Sequence, residues 1–240
     1  MENIYFISDA HLGLGTREEE RIKEDRLLAF LDYIGNDAAQ LFILGDLFDA
    51  WFEYRTVIPK GFHRILAKLD EISRKGIIIH FLVGNHDCWI RNYFRDELGM
   101  KTYLHPFGIT LNGKKIYLHH GDGLANNDTG YRILKKILRS RFSIWLYSWL
   151  HPDLGLKLAR SSSKTSRQYT ASKHYGEGDG MVKFAKQIVE TGYDVVIMGH
   201  RHLPTRQEIG NGTYINLGDW IRSNTYAKLD KNGIVLEQWK

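Results

Sequence analysis

A mixed α/β fold, largely parallel in its first half and joined later by antiparallel additions, is what this sequence predicts. Three observations carry that expectation. Five short apolar runs look like strands that stop at polar or glycine-rich turns: IYFIS (4–8), LFIL (41–44), IIIHFLV (77–83), KIYLH (115–119) and DVVIM (194–198). Helical periodicity fills the gaps between the first three runs. Asn-Gly pairs at 112–113, 211–212 and 232–233, each flanked by alternating residues, signal tight antiparallel turns.

The elements follow in order. After IYFIS, residues 17–34 carry Ile22, Leu27, Leu28, Leu31 and Ile34 on a helical period. After LFIL, residues 61–74 carry Phe62, Ile65, Leu66, Leu69 and Ile72 in the same way. Strand, helix, strand, helix implies right-handed crossovers and a parallel sheet. IIIHFLV reads as a strand covered on both faces. KIYLH and DVVIM are separated by a long segment, NNDTGYRILKKILRSRFSIWLYSWLHPDLGLKLARSSSKTSR (126–167). Its residues 129–150 look like one helix, with Ile133, Leu134, Ile137 and Leu138 apolar and Arg132, Lys135, Lys136 and Arg139 basic. Pro152 should end that helix near Leu150 or His151.

At 240 residues, 43% hydrophobic and 25% charged, the chain suits one large domain or one domain with an insertion. The single cysteine, Cys88, cannot form an internal disulfide and reads as a small apolar residue, not a nucleophile. The start, MENIYFISDAHLG, lacks a basic n-region, so no signal peptide is expected. No run approaches the roughly 18 to 20 apolar residues of a membrane span. Residues 129–170 hold nine Lys/Arg against one acid, a net +8 in a chain of net +5, so the remainder is −3. The basicity belongs to one segment.

Each strand is followed at once by a polar cluster: DAH (9–11), GDLFD (45–49), GNHD (84–87), HGD (120–122) and GHRH (199–202). In open α/β sheets, ligands bind beyond the C-terminal strand ends. Asp9, His11, Asp46, Asn85, His120, His200 and His202 would converge there. Carboxylate, amide and imidazole donors together suit divalent first-row ions. Seven donors are too many for one ion and about right for two, a pair that can clamp a phosphoryl group. One ligand must face both ions, and Asp46 is chosen for that place. Asn85 serves as a neutral oxygen ligand and His86 points at the substrate. Any one cluster alone would be ordinary turn chemistry; five in this order are not. His119 alternates with His120 and should face away, while His63, His80, His105, His151 and His174 fit no cluster.

The ordered set D-x-H, G-D-x-x-D, G-N-H-D, H-G-D and G-H-x-H resembles that of the calcineurin-like metallophosphoesterases and spans nearly all of the chain. The resemblance implies a four-layer α/β-β/α sandwich with a core of 1–125 and 168–240 and a helical lid at 126–167. It implies one metal on Asp9, His11, Asp46 and His202 and another on Asp46, Asn85, His120 and His200, with Mn2+ the expected pair. It also implies that His86 contacts the scissile phosphate or protonates the leaving oxygen, oriented by Asp87 or Asp49.

The stretches ILGDLFDAW, HGDGLANNDTGY, ARSSSKTSR, GHRHLPT and NLGDW are further similar to the UDP-2,3-diacylglucosamine pyrophosphatases of lipid A synthesis. That likeness implies hydrolysis of a UDP-linked diacylated glucosamine to UMP and 2,3-diacylglucosamine 1-phosphate. By it, Asp128 and Tyr131 should touch the glucosamine or its phosphate. Arg160 and Ser163 should hold phosphate and nearby polar groups, Trp51 should line the acyl entrance, and Lys164 and Arg167 are further anion contacts. One departure stands out: the best-known branch of that family has Arg where this chain has His86, and His can transfer a proton. The apolar, aromatic FSIWLYSWL (142–150) beside the basic residues fits peripheral contact with the cytoplasmic side of an inner membrane. A nuclease or general phosphodiesterase is the alternative, encouraged by a pI near 9.1. Against a nucleic-acid partner, the positive charge sits beside a hydrophobic run instead of alternating with stacking aromatics.

Overall fold

The computed structural model describes residues 2–124, 129–171 and 180–240, with only the backbone described at 129 and 164–171. The first half follows the periodicities: β1 (Asn3–Ile7), α1 (Arg17–Ile34), β2 (Ala38–Ile43), α2 (His63–Arg74) and β3 (Ile78–Leu82), then a short α3 (Tyr93–Asp96) and β4 (Lys101–Tyr103). β1 to β4 pair in parallel, and β10 (Thr225–Asp230) and β11 (Gly233–Gln238) extend the β1 edge antiparallel, giving the order β11-β10-β1-β2-β3-β4. The second sheet comprises β5 (Phe107–Leu111), β6 (Lys114–His119), β7 (Val195–Met198), β8 (Thr205–Ile209) and β9 (Gly212–Asn216) in the order β5-β6-β7-β9-β8. Its inner three strands are parallel and its two edges antiparallel.

Strand alternation explains how these sheets stack. In β1, Tyr5 and Ile7 face one way and meet Leu27, Phe30 and Leu31 of α1 and Ile65 and Leu69 of α2. Ile4 and Phe6 face the other way and meet Ile116, Leu118, Val195 and Ile215 of the second sheet. On that sheet's far side, Val196, Met198 and Tyr214 pack on Met181, Ala185 and Val189 of α7 (Gly180–Glu190). Three cores between four layers result, helix, sheet, sheet, helix, as the family resemblance implies. Each fully buried Ile, Leu or Phe here contributes roughly 1.5–3 kcal/mol.

α1 begins at a reciprocal cap: the Thr16 hydroxyl accepts from Glu19 N while the Glu19 carboxylate accepts from Thr16 N. Among the three hairpins, only 112–113 has Asn-Gly as its central pair, with φ of +49° and +81°. In the second, Ile209 pairs with Gly212, so Gly210-Asn211 make the turn, and in the third Asp230 pairs with Gly233 around Lys231-Asn232. The hairpins are present, but two are shifted by one residue because glycine also serves the position beside the turn.

The expected single helix over 129–150 is two. α4 (Thr129–Leu138) stops and α5 (Arg141–Tyr147) restarts where Ser140 accepts from Ser143 N, an N-cap inside an otherwise helical pattern. Pro152, expected to end a helix, opens α6 (Pro152–Ala171), since its missing N–H costs nothing at a first turn. Among the described residues, no helix is long and apolar enough to cross a membrane.

Candidate metal centre

The C-terminal ends of β1, β2, β3, β6 and β7 meet at one place. Backbone bonds sew the loops together: Asp9 N donates to Gly45 O (3.1 Å), His11 N to Asp46 O (2.9 Å) and Gly199 N to His120 O (2.9 Å). Across the two sheets, His200 N donates to Asp9 Oδ2 (2.8 Å). Room for the carboxylates comes from glycine. A Cβ at Gly84 would overlap Asp46 Oδ1, and one at Gly199 would overlap Asp9 Oδ2.

Asp9, His11, Asp46, His200 and His202 all sit at positive φ, from +44° to +69°. Among the described residues only Asn112 and Asn224, both outside this cluster, share that conformation without being glycine. Each such residue costs on the order of 1–3 kcal/mol. Strain gathered on five of seven proposed donors, and on only two other non-glycine residues among those described, marks a site where side-chain direction outranks backbone ease.

Ligand atoms approach within 4.8 Å in three overlapping groups: Asp9, His11 and His202; His11, Asp46 and His86; and Asp46, His120 and His200. Asp46 Oδ2 lies 3.6 Å from His11 Nε2 and 3.2 Å from His120 Nε2, so one oxygen faces both halves of the cluster. Asn85 Oδ1 is 3.0 Å from His120 Nε2. The outer nitrogens are oriented from behind. His120 Nδ1 meets Leu44 O at 2.7 Å, His11 Nδ1 lies 3.3 Å from Asp49 Oδ1, and His202 Nδ1 lies 3.5 Å from Asp219 Oδ2. Each arrangement turns Nε2 inward, as metal-ligating histidines require.

These residues fit cations. His11 Nε2 and His202 Nε2 face each other at 3.2 Å. Asp9 Oδ1 is buried with no hydrogen-bond partner among the described residues. Against the cost of burial, the Asp46 and Asp9 carboxylates hold His120 and His202 up at about 10. The same imidazoles, against burial, hold Asp46 and Asp9 well below the usual carboxylate range. The carboxylates draw protons onto His120 and His202, though burial pushes His200 down to about 4, and divalent cations would supply the positive charge that Asp9 and Asp46 call for. The donor set is that of a divalent-metal site.

His86 stands at the rim of this cluster, with its N–H on Asp46 Oδ1 (2.8 Å) and Nδ1 3.1 Å from the Asp49 carbonyl. A carbonyl only accepts, so Nδ1 carries the proton, and Nε2 lies on the cluster side, 4.0 Å from Asp46 Oδ2. Burial pushes this imidazole down, keeping it neutral. Asp87 does not orient it. Its carboxylate is spent on the backbone N–H groups of Gly84, Asp46 and Leu47, which brace the GDLFD loop. The orienting group is the Asp49 main chain, while the Asp49 carboxylate accepts the Ser163 hydroxyl (2.9 Å).

A cavity of about 790 Å³ opens beside Asp49, Asn85 and His86. Leu134, Leu138, Trp89, Tyr147 and Leu158 give it an apolar wall, and Tyr131, Lys135 and Arg139 a polar one. Buried Asp122 anchors that polar wall: it accepts from Lys135 Nζ (2.7 Å), Arg139 Nη2 (3.2 Å) and the Tyr131 hydroxyl (3.3 Å). Arg139 also donates to Gly84 O (2.7 Å), tying α4 to the β3 loop. Against burial, Arg139 and His120 hold Asp122 well below the carboxylate range.

The remaining expected contacts divide. Tyr131 and Ser163 line the cavity. Trp51 borders it, but its ring is 1% exposed and stacks on Phe48 and Phe94, so it forms the foundation of the wall, not an open entrance. Arg160 lines a second cleft by the start of α1 instead, because it lies about 160° round the helix from Leu158 and Ser162, which face the first cavity. Asp128 and the side chains of Lys164 and Arg167 lie outside the described residues. His119 faces the other way as expected, accepting from Gly121 N and meeting Phe184. Asp122 and Asp219 were not among the expected donors, although they stand inside the HGD and NLGDW stretches. Sitting two or three residues from ligands was the signal that could have found Asp122; Asp219 had none beyond its glycine-rich turn.

The calcineurin-like phosphoesterase family model matches residues 2–204. A UDP-2,3-diacylglucosamine hydrolase of Porphyromonas gingivalis is 36% identical, covering 98% of this chain and 96% of that one. Proteins of the same name from Stutzerimonas stutzeri and Pseudomonas aeruginosa strain PAO1 are each 32% identical, with 96% of both chains covered. Among solved structures, an archaeal phosphodiesterase at 13% identity superposes with a TM-score of 0.50 over 98% of both chains, a likeness of fold alone.

Proposed function

The chain belongs to the calcineurin-like phosphoesterases, and from that premise we propose that it hydrolyses the pyrophosphate of UDP-2,3-diacylglucosamine to UMP and 2,3-diacylglucosamine 1-phosphate. The observation that carries the reading is the apolar cavity opening at Asn85 and His86, beside the metal cluster. A soluble phosphate ester needs no such wall, whereas acyl chains do. Relatives of the same length named for that activity support it.

Asp9, His11, Asp46 and His202 hold one cation, and Asp46, Asn85, His120 and His200 the other, with Mn2+ the proposed ion. Bound cations supply Lewis-acid charge that polarises the phosphoryl oxygens and lowers the pKa of water. The chain's own residues do the rest. Arg139 and Lys135 present positive charge on the cavity side, where the sugar phosphate lies. Leu134, Leu138 and Leu158 bury acyl carbon and fix the substrate's direction. His86 begins neutral with its proton on Nδ1; the arriving anion opposes the effect of burial, so Nε2 takes a second proton from solvent water and donates it in a hydrogen bond to a phosphoryl oxygen. The leaving sugar phosphate has a second pKa of about 6, so it departs without a proton donor.

Half or more of the Phe142, Trp145 and Trp149 side chains is exposed on α5 and just beyond it, next to the basic residues of α4. That exposed aromatic face supports peripheral contact with the cytoplasmic surface of an inner membrane. The deciding experiment is turnover of UDP-2,3-diacylglucosamine by Mn-loaded protein in 18O-labelled water. UMP and lipid 1-phosphate should appear with the label in UMP, reporting attack at the α-phosphate. Absence of UMP release would discard the reading.

A further inference from the structure

α6 separates two cavities of different character. Its Leu158, Ala159, Ser162 and Ser163 face the apolar cavity described above. Its Arg160 faces a second cleft of about 430 Å³ on the other side. That cleft begins at Leu12, the residue after His11, and Arg160 is less than one turn from Ser163, whose hydroxyl holds Asp49. The apolar cavity reaches the metal cluster at Asn85 and His86, the cationic cleft comes within one residue of it at Leu12, beside His11, and both border α6.

The second cleft is cationic. Arg17, Arg21, Lys60 and Arg160 surround it, and none of the four has an ion pair among the described residues. The acids at its edge are already engaged: Glu20 accepts from Gly13 N, Gly15 N and Lys23, and Glu24 pairs with Arg64. Leu12 and Phe62 supply an apolar floor. Four unspent cations over a flat apolar floor suit a ligand with an anionic end and a planar, carbonyl-rich end. Arginine both stacks on such a ring and donates to its carbonyls.

We propose that this cleft binds the nucleotide half of the substrate, a pyrimidine nucleoside 5′-monophosphate, while the cavity across α6 holds the acyl half. The inference rests on the functional reading above. A UDP-linked lipid has one greasy end and one nucleotide end on either side of the bond to be cut, and the chain offers one apolar and one cationic recess that both border α6, one opening at Asn85 and His86 and the other beginning beside His11. Specificity for the nucleotide then comes from Arg17, Arg21 and Lys60, on the first half of the chain, not from the lid.

Equilibrium binding of UMP to the Mn-loaded protein tests this without requiring turnover. Arg17→Ala/Arg21→Ala should bind UMP roughly tenfold more weakly or worse, since a hydrogen bond to a charged group contributes about 1.5–3 kcal/mol. Binding of 2,3-diacylglucosamine 1-phosphate by the same variant should stay near that of the parent, and Lys231→Ala on the far β10–β11 turn should bind UMP normally. An undiminished UMP affinity in the double variant overturns the proposal. So does a variant that holds UMP but loses phosphatidylglycerol vesicles, which would make the cleft a lipid-headgroup site. If UDP-2,3-diacylglucosamine is not hydrolysed yet UMP binding falls in the variant, the functional reading fails and the nucleotide cleft stands.

Discussion

His86 shows how much one side chain can be set by its surroundings. Its Nδ1 proton is pinned by the Asp49 carbonyl at 3.1 Å, and burial keeps the ring neutral until an anion arrives. Because an anhydride releases a weakly basic phosphate, His86→Gln should lower kcat/KM by roughly 10- to 100-fold, at or below the low end of the usual general acid–base range. Against a diester with an alkoxide leaving group the loss should be similar, because the contact is to a phosphoryl oxygen and not to the leaving group. Steady-state rates on both substrates make the comparison, and a much larger loss on the diester would contradict this role. The sequence announced the seven donors plainly, since each follows a strand at once. It could not announce that Asp87 would be consumed by four backbone N–H groups, or that the Asp49 carbonyl would do the orienting. Those depend on loop conformation, and five of the donors adopt a φ that residue identity does not forecast.

α4 and α5 carry a cavity-lining surface and an exposed aromatic surface on neighbouring turns. Leu134 and Leu138 line the cavity, while Phe142, Trp145 and Trp149 are exposed, Trp149 at 74%. Trp145→Ser/Trp149→Ser should weaken binding to anionic vesicles by about an order of magnitude, as loss of two interfacial aromatics implies, while leaving the melting temperature unchanged. Vesicle sedimentation measures this, and undiminished binding would remove α5 from the membrane. The helical pattern of this segment was legible, but not its division. Ser140 looked like one more residue in a helix, and only its hydroxyl on Ser143 N reveals a cap. Arg160 was legible as an anion contact, yet which cavity it would face depended on the rotation of α6 between them.

Two sheets face to face bury the middle of the molecule, and one histidine there reports on its acid tolerance. His80 stacks on Phe42 at 4.1 Å, donates from Nε2 to Gln40 Oε1 (3.1 Å), and its Nδ1 meets the Tyr103 hydroxyl (2.9 Å). Burial, aided by Lys101, pushes it down from an ordinary 6.5 to about 4. The unfolded chain then binds more protons between those values, so the stability contributed by neutral His80 is full above pH 6.5 and lost as pH falls towards 4. His80→Gln should show a shallower fall in urea midpoint across that window, with a residue left by buried His119, which behaves alike. The four-layer arrangement was legible through the motif order, because those clusters fix which strands end together. The ordering of β8 and β9 was not, since Asn-Gly forecasts a hairpin but not which sheet edge it joins.

The account stands on a cation pair placed beside a recess for hydrocarbon. Its most direct test compares kcat/KM of Mn-loaded protein on UDP-2,3-diacylglucosamine and on UDP-N-acetylglucosamine, which shares the nucleotide, the pyrophosphate and the sugar but lacks the long chains. Burial of acyl carbon contributes about 0.8 kcal/mol per methylene, so a preference of at least about 1,000-fold for the acylated substrate is expected. Equal rates on the two would mean that the cavity between α4, α6 and the metal cluster does not hold acyl chains.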